Sequence, residues 1–100
     1  MSYRLDIHPK AMADISEAAG WYEQRQPGLG ERFAREVISA IDSLGRDPLL
    51  YRLRHHRLGV RWCSPVHFPY RIVYRVVDEV ITIVAIIHAA RQGWHWKERL

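Results

Sequence analysis

Cysteine is almost missing from this chain, with Cys63 alone among 100 residues. That excludes an intramolecular disulfide and any CxxC zinc or redox motif, and makes a reducing cytosol the expected compartment. Long hydrophobic runs are missing too. The opening MSYRLDIHPK holds no apolar stretch of the length a signal peptide uses, and no segment approaches a membrane span, so a cytoplasmic protein without membrane contact is expected. No repeat, linker or low-complexity tract divides the chain, which reads as one domain over residues 1–100. The histidines include no pair at metal-ligand spacing with a third carboxylate or thiolate, so neither a metal nor a cofactor is expected. Gly28-Leu29-Gly30 lacks the preceding strand and third glycine of a phosphate cradle and reads as a turn.

What is present is basic charge and two kinds of apolar period. Lys and Arg outnumber Asp and Glu by 15 to 11, a formal net charge of +4, which biases the protein toward polyanions or an acidic protein segment. Tyr3, Leu5 and Ile7 alternate with Arg4 and Asp6 as in a short edge strand. Pro9 fits a first helical position, and Met12, Ile15, Ala18, Ala19 and Tyr22 then recur at helical spacing through Gln24. Gly20 weakens that helix by up to ~1 kcal/mol relative to Ala unless close packing needs its missing side chain. Pro27-Gly28 ends the helix. A second one runs from Leu29, with Leu29, Phe33, Val37, Ala40, Ile41 and Leu44 on one stripe and a Glu31 to Arg35 pair on another, until Gly45 and Asp47-Pro48.

The segment Leu49 to Leu58, rich in arginine and histidine with leucines between, reads as a loop or a ragged edge strand. Gly59 to Cys63 alternates Val60 and Trp62 against Arg61 and reads as a strand. The organising stretch is Phe68 to Arg91, FPYRIVYRVVDEVITIVAIIHAAR. Its first half sets Phe68, Tyr70, Ile72, Tyr74 and Val76 on one face and Arg71, Val73 and Arg75 on the other. After a break at Asp78-Glu79, Val80 to Ile87 is apolar everywhere but Thr82, as expected of a strand covered on both faces. The tail QGWHWKERL reads as a short turn or helix. The expected fold is α+β in the order βααβββ, a helical hairpin packed on one face of a mostly antiparallel four-stranded sheet, with the other face open and basic.

Several features together resemble the RelE/ParE superfamily of bacterial type II toxins over nearly the whole chain. They are Ala13-Asp14-Ile15 and Trp21-Tyr22, Gly28-Leu29-Gly30, Phe33, Val37, Ile41, Leu44 and Pro48, Val60-Arg61, the run Phe68 to Tyr74, and Ala85 to His88 with Arg91, Trp96 and Arg99. The resemblance implies a growth-inhibiting toxin, silenced by an antitoxin encoded beside it, that poisons DNA gyrase or the ribosome. In the nuclease branch, cations on the open sheet face and a C-terminal tyrosine cleave messenger RNA at the ribosome. Arg71 and Arg91 match two such positions and are the catalytic candidates in that case. Arg61 stands alone where the nucleases tend to carry paired lysines, and the tail holds Trp94 and Trp96 but no tyrosine. These departures favour the ParE branch, whose members inhibit gyrase by binding. The candidate target-binding set is then Arg61, Arg71, Arg75, Arg91, Trp94, Trp96 and Arg99. Two alternatives stay open: a ribosome-dependent endoribonuclease, and a remnant that retains only antitoxin binding. The plainer account of Arg71 and Arg75 is a solvated sheet face, and that of Trp21 and Tyr22 a seal on the core edge.

Overall fold

The computed structural model describes residues 3–91 and 95–100. Strand β1 (Arg4–Ile7) leads into helices α1 (Pro9–Arg25) and α2 (Leu29–Leu44), followed by strands β2 (Leu53–His55), β3 (Val60–Cys63), β4 (Tyr70–Val77) and β5 (Val80–His88), and a 3₁₀ turn at His95–Arg99. The sheet order is β1-β5-β4-β3-β2, with β1 parallel to β5 and every other pair antiparallel. Two helices on a mostly antiparallel sheet is the architecture expected from the sequence, with five strands in place of four. The extra one is β2, whose irregular pairing with β3 explains why the arginine-rich segment carries no clear alternation. Among the described residues no helix is long and apolar enough to cross a membrane.

The helices pack on the sheet through one stripe each. On α2 it is the stripe read from the sequence: Phe33, Val37, Ile41 and Leu44 are buried. On α1 the buried stripe is Ala11, Ile15 and Ala18 with half-buried Tyr22, and Met12 is exposed. The face is turned by one residue because Ala11 follows the period of four that continues to Ile15. The helix ion pair on α2 forms between Arg32 and Glu36, not between Glu31 and Arg35.

The turn between helices depends on both its glycines. Gly28 sits in the left-handed region at φ 87°, and a Cβ on Gly30 would collide with the Ala19 carbonyl oxygen, so only glycine lets α2 cross α1 this closely. The Glu23 carboxylate accepts hydrogen bonds from the Gly28 and Gly30 N–H groups at 2.8 and 3.0 Å, satisfying donors that the first turn of α2 leaves free. Gly20 is different: it is exposed and nothing lies near the position its Cβ would take.

A β-bulge decides what faces what. Along β4 and β5, Val73 pairs with Ala85 but Tyr74 pairs with Ile83, so Val84 is an extra residue on β5. Ile81 and Ile83 before the bulge and Ile86 after it join the helix-covered core, whereas Val84 and Ala85 both turn to the other face. That second face is not open throughout, contrary to the expectation from sequence. Val60, Val73, Val84, Ala85 and Trp96 make a smaller core there, flanked by Leu58, Trp62, Ile87 and Leu100. The chain's last turn supplies the cover, since Trp96 is only 3% exposed.

Candidate functional site

On the second face, β3 places Trp62 opposite Val73, and the half-buried indole lies between two cations. The Arg54 guanidinium carbon is 4.8 Å from the ring centroid and that of Arg71 is 4.9 Å. Such contacts hold each guanidinium by the electrostatics of the ring face and keep the cation available to an anion. Arg75 shares the strand face of Arg71 and Val73 by alternation.

The rest of the expected target-binding set is distributed elsewhere. Arg61 points the other way and donates to the Tyr51 carbonyl at 2.9 Å. Arg99 is committed to the interior: it donates to the Asp14 carboxylate at 2.7 Å and to the Val84 carbonyl at 3.0 Å, while Asp14 also accepts the Ile86 N–H. Trp96 is core. Trp94 lies outside the described residues. Arg91 is exposed and borders a cleft beside α1. Arg71 and Arg91 therefore share one end of the β4–β5 ladder, where Tyr70 pairs with His88 and Arg71 with Ile87, but Arg71 lies against Trp62 and Arg91 beside α1.

That cleft, of about 540 Å³, runs between α1 and the ends of β4 and β5. Glu17, Trp21, Tyr22, Tyr70, His88 and Arg91 line it along with Asp14. Tyr22 packs against Phe33 and Phe68 at ring distances of 5.2 and 4.9 Å, sealing the core edge as expected. Trp21 does not: it is half exposed, with the Arg25 guanidinium 3.4 Å above its ring. Burial pushes the Tyr70 phenol above its ordinary range; neighbouring Tyr22 adds to this and the positive charge of Arg91 opposes it. Its hydroxyl stays protonated at neutral pH and offers a donor. His88 sits 5.2 Å from the Tyr70 ring and accepts the Ala90 N–H on Nδ1 at 3.0 Å, which puts the proton of a neutral ring on Nε2.

Sequence reasoning missed Arg54 and the grouping of Tyr70, His88 and Glu17. Arg54 was hidden in a segment without period. The Tyr70–His88 pair was hidden by the bulge, since counting back from the Asp78-Glu79 turn would set Tyr70 opposite Ile87.

Comparison with known proteins fits this architecture. The family described as the ParE toxin of the type II toxin–antitoxin system, parDE, matches residues 5–93. The chain is 35% identical over 82 residues to the toxin RelE2 of Caulobacter vibrioides, covering 82% of this chain and 90% of the relative. Among solved structures it superposes on a chain of the chromosomal ParDE toxin–antitoxin system from P. aeruginosa with a TM-score of 0.77, at 19% identity, covering 86% of this chain and 95% of that one. A double mutant of the E. coli toxin RelE in the free state gives a TM-score of 0.58 at 18% identity, over 90% and 86% of the two chains. The YoeB–YefM complex from Staphylococcus aureus gives 0.56 at 20% identity, over 86% and 95%. The chain belongs to the ParE toxin family of type II toxin–antitoxin systems, within the wider RelE/ParE superfamily.

Proposed function

We propose that this toxin arrests growth by binding DNA gyrase, and that a cognate antitoxin holds it silent. The observation that carries the choice is the dispersal of its cations. Cleaving a phosphodiester without a metal requires donors and proton-transfer groups converging within hydrogen-bond reach of one phosphate. Here Arg61 is bound to a loop carbonyl, Arg71 lies on Trp62, Arg91 borders a different cleft and Arg99 is paired with Asp14. Arginine is also a poor general base, because its guanidinium stays protonated in proteins. A surface of this kind suits recognition better than catalysis.

The antitoxin reading is supported by the family and by the ParDE and YoeB–YefM assemblies among the structural neighbours. The basic balance favours an acidic segment as the neutralising element. Such a complex should survive purification when the toxin is expressed with the adjacent small gene.

One observation favours the endoribonuclease instead. The Arg54–Trp62–Arg71 stack joins an aromatic face to two cations, a combination that binds single-stranded nucleic acid. Induced expression separates the two readings. Gyrase inhibition gives a block of supercoiling by purified gyrase and a DNA damage response with messenger RNA intact. Codon-positioned cleavage of messenger RNA in a purified translation system, abolished by Arg71→Ala, would establish the nuclease and sink the gyrase reading.

A further inference from the structure

The loop leaving α2 turns apolar side chains toward water. Leu49 is 53% exposed, Leu50 71% and Tyr51 40%. Single exposed leucines are ordinary, but three consecutive large apolar residues on one loop form a patch of the kind that marks an interaction surface.

The backbone beneath them is fixed. The buried Tyr74 hydroxyl donates to the Pro48 carbonyl at 2.6 Å, and Arg61 donates to the Tyr51 carbonyl at 2.9 Å. Leu50 N–H closes a turn on the Asp47 carbonyl at 3.3 Å. The Pro48 clamp is anchored in the core, because Tyr74 and Pro48 are both fully buried. A segment held by its carbonyls, with its side chains outward, has already met the ordering cost that binding would otherwise add.

The flanks are basic. Residues 46–57 carry Arg46, Arg52, Arg54 and Arg57 against the single acid Asp47, a net of three of the chain's four formal positive charges. All four arginines are exposed.

We propose that Leu49, Leu50 and Tyr51 form a knob that inserts into an apolar pocket bordered by carboxylates on the protein this toxin inhibits, with the flanking arginines pairing with that rim. The proposal rests on the reading of the toxin as an inhibitor that acts by binding. Aliphatic side chains gain from burial in an apolar pocket and nothing from phosphates, which favours a protein over a nucleic acid as the occupant. The charge around the knob steers the encounter, and the leucines and tyrosine set how long the complex lasts.

The test is the double substitution Leu49→Asp with Leu50→Asp in the full chain, co-purified with its antitoxin, against wild type and Val66→Asp. Val66 is 85% exposed and lies outside the loop, so it controls for added surface charge. The expected result is an unchanged thermal midpoint and antitoxin complex, growth arrest lost on induction, and at least a tenfold higher concentration for half-inhibition of purified gyrase. Val66→Asp should match wild type. The pair Arg52→Glu with Arg57→Glu leaves the leucines in place and serves if the aspartates unfold the chain; it should weaken inhibition most at low salt. Growth arrest by the loop variants equal to wild type overturns the proposal, as does a wild-type chain that arrests no growth. Loss of antitoxin binding, dissociation of a self-dimer or loss of binding to a single-stranded oligonucleotide on the same substitutions would assign the knob to another occupant and also overturn it. If wild type arrests growth but leaves gyrase supercoiling untouched, the gyrase reading falls, and the growth comparison still decides the knob.

Discussion

Asp14 on the first helix and Arg99 in the last turn are joined by an ion pair of 2.7 Å with side chains only 19% and 16% exposed. The same carboxylate accepts the Ile86 N–H at 3.0 Å, and the same guanidinium donates to the Val84 carbonyl at 3.0 Å. The pair therefore fastens α1, the bulged region of β5 and the C-terminal turn at one point. Asp14→Ala strips a largely buried guanidinium of its counter-charge, leaving it the Val84 carbonyl, and leaves the Ile86 N–H without its acceptor. The expected cost is about 2–3 kcal/mol in denaturant unfolding. Adding Arg99→Ala to it should cost less than the sum of the single changes, because each removes the same bond. Strict additivity would mean that the pair does not couple in solution.

Glycines in neighbouring turns of the hairpin should respond in opposite directions. Gly20→Ala fills open space on an exposed helix position and should stabilise by up to ~1 kcal/mol. Gly30→Ala drives a methyl group into the Ala19 carbonyl and should destabilise by about 1–3 kcal/mol. Thermal midpoints of the two variants, measured side by side, check both signs.

Burial pushes the Cys63 thiol from 9.0 up to about 11. The unfolded chain thus releases this proton near 9 while the fold retains it to about 11, so folding takes up a proton across that window. Any stability Cys63 contributes through this shift is fully present below pH 9 and declines as the pH rises toward 11. A thiol reagent at pH 8 should leave the native protein unmodified and react on unfolding. Cys63→Ala should flatten that part of the alkaline stability profile.

Arg71 and Arg91 report on different surfaces, one on Trp62 and the other in the cleft beside α1. Charge reversal at either should change stability by little more than ~0.5 kcal/mol. Arg71→Glu is expected to weaken growth arrest at matched expression. Arg35→Glu, on the exposed side of α2, should leave it intact. If Arg91→Glu also weakens arrest, its effect should add to that of Arg71→Glu, as independent sites do.

The helices, the edge strand β1 and strand β4 were legible because each carries a period that one covered face imposes. Strand β5 hid more. With apolar residues on both faces, Val80 to Ile87 shows no alternation in which the extra residue Val84 would register as a slip. The bulge then moves His88 opposite Tyr70 and builds a cleft that counting along the hairpin would not assemble. Trp96 and Arg99 were misleading for a different reason. A tryptophan and an arginine near a chain end look the same in sequence whether they meet a partner or fold back, and only the positions of Asp14 and the Val73–Val84 patch decide that they fold back. Arg61 and Arg71 belong to strands that pair, yet alternation sends them to opposite faces.

Strand β1 has one neighbour in the sheet, and it is β5, with Arg4 beside Val80 and Ile7 beside Ile83. Strand β1 is made before the other four described strands and therefore waits for the last of them before it can join the sheet. Closing that loop spends entropy before any contact of β1 with the sheet rewards it, and completion of the sheet is deferred until β5 has been made. For a toxin this ordering means that, until β5 has been made, the nascent chain holds no completed sheet.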